Sequence, residues 1–508
     1  MNISQACLLS NPPAPQNATK DYRERAELLR NMDVFIRVSG VERELTGKYK
    51  KKVKSRAERR GSNMPEGWIA RAMALAPFAI RCNILRRLTG SSYREFSVLA
   101  SDSPLIQWFL YRGMMEGFIG ELDGKWLSKS SLERYDKVLT ADEVAEAVRK
   151  VCAAVSSESW KGKMPGWNEP LSIRDVWADC SCLEADIHFP VDWVLLRDVV
   201  RTLVAAIICL RNHGMRHRIR DPRDFLRAIN AASIEMAAVT RGKRAKKKRK
   251  QVLRKMKRIV ELVRSHAERY RNLAVAERES RTDLTEAEMA QIVGRIDSVL
   301  SQLPAAIKQA EDRIIREQKV PDPEKVLSLY EPNVHAIFRG KSSAAVEFGN
   351  TLYLAESRDG LIVDFHLYRD RAPADCKMLE DSVCRIAKAY GGVNSITTDR
   401  GFDSPENREL LSEKHITNNI LPKSPRSMAE ALKTQEFRDA QKRRAQIEGR
   451  IGILKNVFIK GRLSGKGFEH QEIEVSWCIL VHNLWVVGRI ARAAAREEPP
   501  LDNHQKTA

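Results

Sequence analysis

Two acidic residues stand where the chain could hold a metal ligand. Asp399 follows the apolar segment 393–398 and precedes a glycine-containing turn, a pattern that predicts an aspartate at the exit of a β-strand. Such a carboxylate is fixed by the sheet and still faces solvent. Glu448 lies in 441–455 (QKRRAQIEGRIGILK), which predicts a helix. Together they indicate metal-dependent chemistry on a polyanion.

Basic residues accompany Glu448 on its predicted helix. Arg444 precedes Glu448 by four residues and Lys455 follows it by seven. At 3.6 residues per turn the three side chains share one helix face. Arginine offers a phosphate a bidentate fork and lysine a point charge, so we expect both to contact a phosphate backbone. The alternative is that both only screen Glu448 in solvent.

A third carboxylate comes from an earlier strand. Segment 172–182 (SIRDVWADCSC) alternates like a β-strand and contains Asp179. Each candidate also has an ordinary structural explanation: Asp179 as a strand-end turn residue, Asp399 as a helix cap and Glu448 as half of a helical ion pair. The neighbouring carboxylates most easily confused with these are Asp192 and Asp403.

Phosphodiester cleavage would suit such a set of carboxylates. The reaction needs an activated water or hydroxyl in line with the leaving oxygen, and stabilisation of charge on both sides of the phosphorus. Two divalent ions about 3.5 to 4 Å apart supply both when carboxylates hold them. We therefore predict two Mg²⁺ or Mn²⁺ ions, which prefer oxygen ligands, and assign Asp179, Asp399 and Glu448 as metal ligands.

Composition points to a nucleic-acid partner. The 508 residues carry a net charge of +21, and the pI is about 9.6. An excess of this size favours binding to phosphates through counterion release, although a basic enzyme of another kind would share it. Nine cysteines without a paired CxxC motif predict a reduced cytoplasmic protein. We find no signal peptide and no apolar run of about 18 residues, so we expect no membrane association.

Two clusters of basic residues are candidates for contacting DNA. Segment 241–258 holds twelve lysines or arginines among eighteen residues and no acid. Such a helix is either a solvated spacer or a cationic surface for phosphates, and its density favours the second. Near the start of another predicted helix stand Lys129 and Arg134. The DNA-binding candidates of these two clusters are Lys246, Lys247, Lys248, Arg249, Lys250, Lys129 and Arg134.

The order of predicted elements suggests four regions. After a helical start, the strands and helices follow the order β, insertion, three β, α, β, α, β, α, which matches a mixed sheet with helices on both faces, as in ribonuclease H-like domains. The predicted regions are a flexible leader and basic helical arm (1–65), an all-α DNA-binding domain of helix-turn-helix type (66–165), an α/β catalytic domain (166–460) with a large helical insertion (193–319), and a C-terminal helix and tail (461–508).

Four segments in this order resemble the DDE transposases of bacterial insertion sequences, from about Ile84 to Val487. NILRRLTGSSYREF and KSSLERYD resemble their helical DNA-binding region, and WADCSCLEADIHFPVDWVLL resembles the first catalytic segment. TTDRGFDSPEN is similar to the segment of the second aspartate. RRAQIEGRIGILK is similar to the third segment, whose pattern is Tyr, Arg, Glu, Lys along one helix; Gln441 stands here where tyrosine is usual.

This resemblance implies a function. The chain would bind the terminal inverted repeats of an insertion sequence, hydrolyse the phosphodiester at the element ends, and transfer the resulting 3′-hydroxyl to target DNA. Pairing two ends implies a homodimer or larger assembly. The alternatives are a ribonuclease H-like nuclease without strand transfer and a transposase-derived DNA-binding protein that no longer cuts.

Overall fold

The computed structural model describes residues 11–60, 67–114, 127–164, 167–239, 243–276, 283–338 and 346–497. The chain divides into two compact units. The first contains residues 1–184 and 350–508, and the second contains residues 185–349. The second unit is thus an insertion into the chain of the first.

A mixed β-sheet forms the centre of the first unit. Strand β3 lies between β1 and β4, and β1 is followed on its other side by β5 and then β6. β1 and β5 are parallel, as are β5 and β6, whereas β3 and β4 form an antiparallel hairpin. The short β7 pairs with β1. In chain order the described strands are β1 (Asp175–Ala185), β2 (His335–Phe338), β3 (Val346–Ser357), β4 (Ile362–Leu367), β5 (Ser395–Thr398), β6 (Thr417–Ile420) and β7 (Arg462–Leu463). Of these, β2 and the first residues of β3 belong to the second unit.

Among the described residues, eight helices precede the sheet in the chain. They are α1 (Lys20–Val38), α2 (Val41–Arg60), α3 (Trp68–Ala74), α4 (Ala76–Thr89), α5 (Tyr93–Asp102), α6 (Pro104–Tyr111), α7 (Lys129–Asp136) and α8 (Ala141–Val155). The sequence specifies where several of them begin. Ser92 and Glu95, for example, form the expected capping box at the start of α5, so two backbone N–H groups that the helix leaves without partners are satisfied.

Other described helices of the first unit alternate with its strands or follow them. They are α13 (Leu379–Tyr390), α14 (Pro405–Glu413), α15 (Pro425–Ala431), α16 (Gln435–Ile453) and α17 (Phe468–Glu497). The labels α9 to α12 are given below to helices of the second unit. Helix α17 contacts α1, α4, α8 and β4. Trp477, Leu480, Leu484 and Val487 of α17 are fully buried. The helices predicted as a separate DNA-binding domain therefore share one core with the sheet.

The same helix has the length and composition of a membrane span. Residues 468–494 of α17 are long and apolar enough to cross a membrane, but 72% of the apolar stretch is buried inside the protein. A buried helix of this kind is what the core of a large domain requires. Its apolar surface is accounted for by packing against α1, α4 and α8.

The second unit is mainly helical. Its helices are α9 (Asp192–Asn212), α10 (Pro222–Ala237), α11 (Lys243–Ala276) and α12 (Glu286–Ala310), and they pack around a core of their own. α12 begins with a capping box between Thr285 and Glu288. β2 pairs antiparallel with the first residues of β3, with His335 opposite Gly349. The long basic helix α11 packs through one apolar face against α9, α10 and α12.

Most predicted elements form, with shifted ends. The strand predicted over 172–182 runs from Asp175 to Ala185, and the strand before Asp399 is Ser395–Thr398. The helix predicted over 441–455 starts earlier, at Gln435, and its regular part ends at Ile453. A π-helical turn, Leu454–Ile459, follows it. The prediction of one regular helix as far as Lys455 was therefore wrong.

The contact between α17 and α1 yields a stability prediction. A Cβ on Gly488 would lie 2.8 Å from Leu28 Cδ1 and 3.2 Å from Met32 Cγ, whereas a Cβ on Gly47, inside α2, would meet no atom within 4 Å. We expect Gly488→Ala to lower the free energy of unfolding by about 1–2 kcal/mol through overpacking, and Gly47→Ala to raise it by up to about 1 kcal/mol through helix propensity. Urea unfolding of both variants checks this, and equal stabilisation by the two substitutions would contradict the close packing.

Candidate active site

The register of two parallel strands aligns Asp179 with Asp399. In the β1–β5 pair, Val176 is opposite Ile396 and Trp177 is opposite Thr397. Two residues further along each strand stand the aspartates. Because side chains alternate across a strand, both aspartates lie on the sheet face that carries Trp177 and Thr397. Neighbouring strands run about 4.8 Å apart, so the register places the two carboxylates side by side, with Asp179 inside β1 and Asp399 just after the end of β5.

Backbone N–H groups hold both carboxylates. The amide of Cys180 donates to Asp179 Oδ1 at 2.7 Å, and the amide of Gly401 donates to Asp399 Oδ1 at 2.9 Å. Both side chains are half-buried. Asp399 is also the cap of the short turn Arg400–Phe402, so its alternative role as a cap and its candidate role as a ligand coincide in one residue.

A further carboxylate, not predicted from the sequence, lies beside Asp399. A Cβ placed on Gly401 would lie 2.6 Å from Asp375 Oδ2 and 3.0 Å from Asp399 Oδ1, so both oxygens converge over this glycine. Only a residue without a side chain fits there. Asp375 begins the short turn Asp375–Lys377 before α13, where the sequence predicts only a helix start. Nothing in its local sequence distinguishes it, because the tertiary fold brings the two turns together.

Helix α16 begins directly over these strand ends. Trp177 Nε1 donates to the carbonyl of Ala440 at 3.0 Å. Gln441 Nε2 donates to the carbonyl of Asn419 at 2.5 Å and is 3.4 Å from that of Thr398. Gln441 therefore ties α16 to the ends of β5 and β6. The transposases that this chain resembles usually have tyrosine at this position. Here the side-chain amide of Gln441 donates hydrogen bonds that hold the helix in place.

A buried charge cluster fixes the second half of α16. Glu356, at the end of β3, is fully buried and accepts from Arg450 Nε at 3.0 Å. Arg443 Nη1 lies 3.8 Å from the same carboxylate, and its guanidinium stacks 4.1 Å from the Trp177 ring. Burial raises the pKa of Glu356, while Arg450 and then Arg443 oppose that rise. Two helix turns of α16 are thus anchored to β3.

Glu448 lies on the outer side of this anchored helix. Its side chain is 66% exposed, and Arg444 Nη1 is 3.9 Å from its carboxylate. Among the described residues, no three His, Cys, Asp or Glu side chains are close enough to hold a metal ion. The structure therefore aligns Asp179 with Asp399 by strand register, but it does not bring these two aspartates and Glu448 together as one metal site. Lys455 lies in the π-helical turn, where the 3.6-residue spacing from Glu448 no longer applies.

Comparison with known proteins identifies this part of the chain. Residues 352–484 match the family model described as "Transposase DDE domain". The chain carries a transposase DDE domain. The match includes Asp399 and Glu448, and such a domain implies a ribonuclease H-like fold, in agreement with the mixed sheet and its helices. A second family model, "Protein ROH1-like", matches residues 181–320. No curated protein and no solved structure matches the chain significantly.

The two carboxylates most easily confused with the candidate ligands in the sequence, Asp403 and Asp192, have structural roles. Asp403 accepts from the guanidinium of Arg408 at 2.6 Å and from the backbone amide of Lys423 at 2.8 Å. In the second unit, Asp192 at the start of α9 accepts from Gln309 at 2.9 Å and from Arg313 at 2.8 Å. Both aspartates are buried, and these contacts account for their charge.

The predicted basic cluster on α11 is partly neutralised within its unit. Lys246 and Lys250 both pair with Glu317, at 2.6 and 2.8 Å, and lower its pKa to about 2. Lys248 pairs with Glu235 at 2.8 Å. The guanidinium of Arg249 donates to the backbone carbonyl of Val239, and Lys247 is exposed. The acids of α10 and of the turn after α12 thus reduce the surplus charge that segment 241–258 shows by itself.

The other predicted DNA-binding pair lies on α7. Lys129 and Arg134 are both exposed. Arg134 folds back on its own helix, donating to the carbonyl of Ser130 and to the hydroxyl of Ser131. Lys129, at the first position of α7, lines a cleft that is described below.

A buried histidine extends the anchor of α16 into α17. Arg450 Nη1 donates to His482 Nε2 at 3.4 Å, and His482 Nδ1 contacts Asn483 Oδ1 at 3.1 Å. Asn483 in turn bonds both backbone groups of Ile362 at the start of β4. Burial, and then the charge of Arg450, lower the pKa of His482 to about 3.

This histidine predicts a pH-dependent stability. His482 stays neutral in the fold below the pH at which a free histidine takes up a proton, so the unfolded chain binds more protons below about pH 6.5. The contribution of neutral His482 to the stability of the fold is therefore complete above about pH 6.5 and is lost as the pH falls below it. We expect the free energy of unfolding to drop by about 2 kcal/mol between pH 7 and pH 5 from this group, and His482→Gln to remove that part. Urea unfolding at both pH values measures it; an unchanged pH dependence in the variant would contradict the assignment.

The charge cluster around Glu356 predicts a second effect on the free energy of unfolding. Glu356→Ala removes the fully buried carboxylate that pairs with the partly buried Arg450 and Arg443, which we expect to cost about 2–4 kcal/mol. Glu430→Ala removes an exposed carboxylate paired with Lys433 and should change stability by less than about 1 kcal/mol. If the two substitutions had equal effects on urea unfolding, α16 would not depend on Glu356.

Proposed function

We propose that this protein is a metal-dependent transposase that binds the terminal inverted repeats of an insertion sequence, hydrolyses the phosphodiester at the element ends and transfers the 3′-hydroxyl to target DNA. The observation that carries the proposal is the alignment of Asp179 and Asp399 by strand register beneath α16, inside a chain with a transposase DDE domain. We also propose a cytoplasmic protein that works as a homodimer or larger assembly on DNA.

The three carboxylates fit divalent ions chemically. Asp179, Asp399 and Glu448 offer only carboxylate oxygens, the ligands that Mg²⁺ and Mn²⁺ prefer. The amides of Cys180 and Gly401 each donate to one oxygen of an aspartate and so fix the orientation of the two carboxylates. When bound, two such ions activate the attacking oxygen and stabilise the leaving one. Glu448, on α16, would be the third ligand.

The protein's own groups would then hold the DNA strand. Arg444 lies one turn before Glu448 and is partly buried, so its guanidinium is positioned to bind a phosphate without a large loss of side-chain freedom. Gln441, Arg443 and Arg450 fix the helix that presents these groups. No covalent protein intermediate is needed, because a hydroxyl attacks the phosphorus directly.

Cleavage of labelled DNA that carries the element's own terminal sequence tests the proposal. With Mg²⁺ or Mn²⁺, we expect the wild-type protein to nick at the element boundary, and Asp179→Asn, Asp399→Asn and Glu448→Gln each to lower the rate by at least about a hundredfold while DNA binding persists. Glu436→Gln changes an exposed carboxylate at the start of the same helix and should leave the rate unchanged.

Each other outcome identifies a different protein. Binding without cleavage by the wild type would show a transposase-derived DNA-binding protein. Cleavage without joining to target DNA would show a nuclease of the same fold. Cleavage that survives Glu448→Gln would mean that another carboxylate completes the site, and Asp375→Asn would be the next variant to measure.

A further inference from the structure

A basic cleft lies in the first unit at a distance in sequence from the three catalytic candidates. It is about 810 Å³ in volume. Its walls come from the end of α4, the first turn of α5, the length of α7, the segment 458–466 and the first turns of α17. Parts of the predicted DNA-binding region and of the C-terminal region therefore form one concave surface, which we call the basic cleft.

The carboxylates of the basic cleft are already engaged. Among the residues that the structure describes, seven lysine and arginine side chains line it against four carboxylates. Asp136 is held by Arg86 at 3.2 Å, by Arg87 at 2.5 Å and by the hydroxyl of Tyr93 at 2.6 Å. These three donors keep the pKa of Asp136 below its usual value despite the opposing effect of burial.

The other three carboxylates are occupied in the same way. Glu95 caps α5, Glu133 pairs with Lys137 at 2.8 Å, and Glu474 accepts from the amides of Ser464 and Gly465 at 3.0 and 2.8 Å. Each of the four carboxylates therefore already has a hydrogen-bond or ion-pair partner within the cleft, although the charge of Lys129 also helps to lower the pKa of Glu133.

Three lysines at the cleft have no such partner. Lys129, Lys460 and Lys466 line the cleft, are exposed, and form no ion pair with any residue that the structure describes. They belong to different segments: the first turn of α7, the end of the π-helical turn and the loop before α17. A concave surface with three unpaired cations and satisfied acids is complementary to a polyanion.

The backbone at Lys460 supports a functional role for this residue. Its φ of 64° lies in the left-handed region, which residues other than glycine and asparagine adopt at a cost. Its side chain packs over Gly90 so closely that a Cβ there would lie 1.9 Å from Lys460 Cε. Gly90, with φ 61°, ends α4 and leaves this space. The fold thus holds a lysine in a strained position and directs its stem along the cleft.

The cleft is connected to the catalytic strand. Strand β7, between Lys460 and Lys466, pairs with β1, and β1 carries Asp179. Arg462 of β7 also pairs with Glu184 near the end of β1, at 3.2 Å. A hydrogen-bonded strand pair therefore connects the cleft to the strand that carries Asp179.

We propose that the basic cleft binds the phosphodiester backbone of DNA, through Lys129, Lys460 and Lys466. The DNA contact would then be shared between the N-terminal helices and the segment after α16. This inference rests on the proposed function for its partner, since the transposase DDE domain and the net charge of +21 indicate DNA. Contacts to phosphates predict affinity that depends on salt and little on base sequence.

A charge-matched pair of variants tests the proposal. Lys129→Gln, Lys460→Asn and Lys466→Gln are combined in one protein, with asparagine at 460 because it tolerates left-handed backbone. The control combines Lys161→Gln, Lys414→Gln and Lys433→Gln, three exposed lysines outside the cleft. Both proteins lose three positive charges, so the long-range attraction to DNA changes equally in the two.

Binding to the terminal sequence and to an unrelated duplex is measured across a series of salt concentrations. For the cleft variant we expect affinity to fall roughly tenfold or more on both DNAs, and the slope of log K against log salt to decrease by about 3. The control should bind with nearly wild-type affinity and slope. Equal binding by the two variants would overturn the proposal.

Lysine acetylation of the wild-type protein is a second, independent measurement. Because it uses no variant, a folding defect cannot affect it. With bound DNA, Lys129, Lys460 and Lys466 should be protected and Lys161, Lys414 and Lys433 should react as before. Uniform reactivity would overturn the proposal. A wild type that cleaves DNA but shows an unprotected cleft would refute this inference alone, whereas a wild type that binds no DNA would refute it together with the proposed function.

Discussion

The parallel pairing of β1 with β5 is the constraint on which the site depends. Its register, Trp177 opposite Thr397, aligns Asp179 with Asp399 although 220 positions separate them in the chain. A slip of one residue would turn either aspartate to the other face of the sheet. The amides of Cys180 and Gly401 then orient the carboxylates, and the glycine leaves room for Asp375 beside them. The whole second unit is inserted between β1 and β3 without changing this alignment.

Helix α16 is fixed over the sheet by polar contacts at both ends. Gln441 bonds the ends of β5 and β6, and Arg450 joins buried Glu356 to His482 of α17. Replacing a buried ion pair with apolar residues is often neutral for stability, so its value here is in setting the position of α16. Glu448 needs that position because its own side chain is exposed and makes only a 3.9 Å contact with Arg444.

The sequence predicted the elements of the site better than their assembly. Alternation around Asp179, the apolar run before Asp399 and the helical spacing at Glu448 are local patterns, and each element formed within a few residues of its predicted bounds. The sequence did not predict the π-helical turn at Lys455, because residues 454–459 have the same apolar pattern as an ordinary helix. Asp375, the buried Glu356 cluster and the basic cleft depend on contacts between distant segments, which no local pattern contains. The charge of segment 241–258 was overestimated for the same reason, because Glu235 and Glu317 neutralise it only in the folded unit.

The most direct test of this account asks whether Asp179 and Asp399 hold one ion together. Fe²⁺ can take the place of Mg²⁺, and with ascorbate and peroxide it produces hydroxyl radicals that cut the polypeptide beside the bound ion. The account predicts two sets of fragments from the same protein, one ending near residue 179 and one near residue 399, both lost in Asp399→Asn and both suppressed by excess Mg²⁺. Cuts at only one of these strands, or cuts that survive Asp399→Asn, would contradict it.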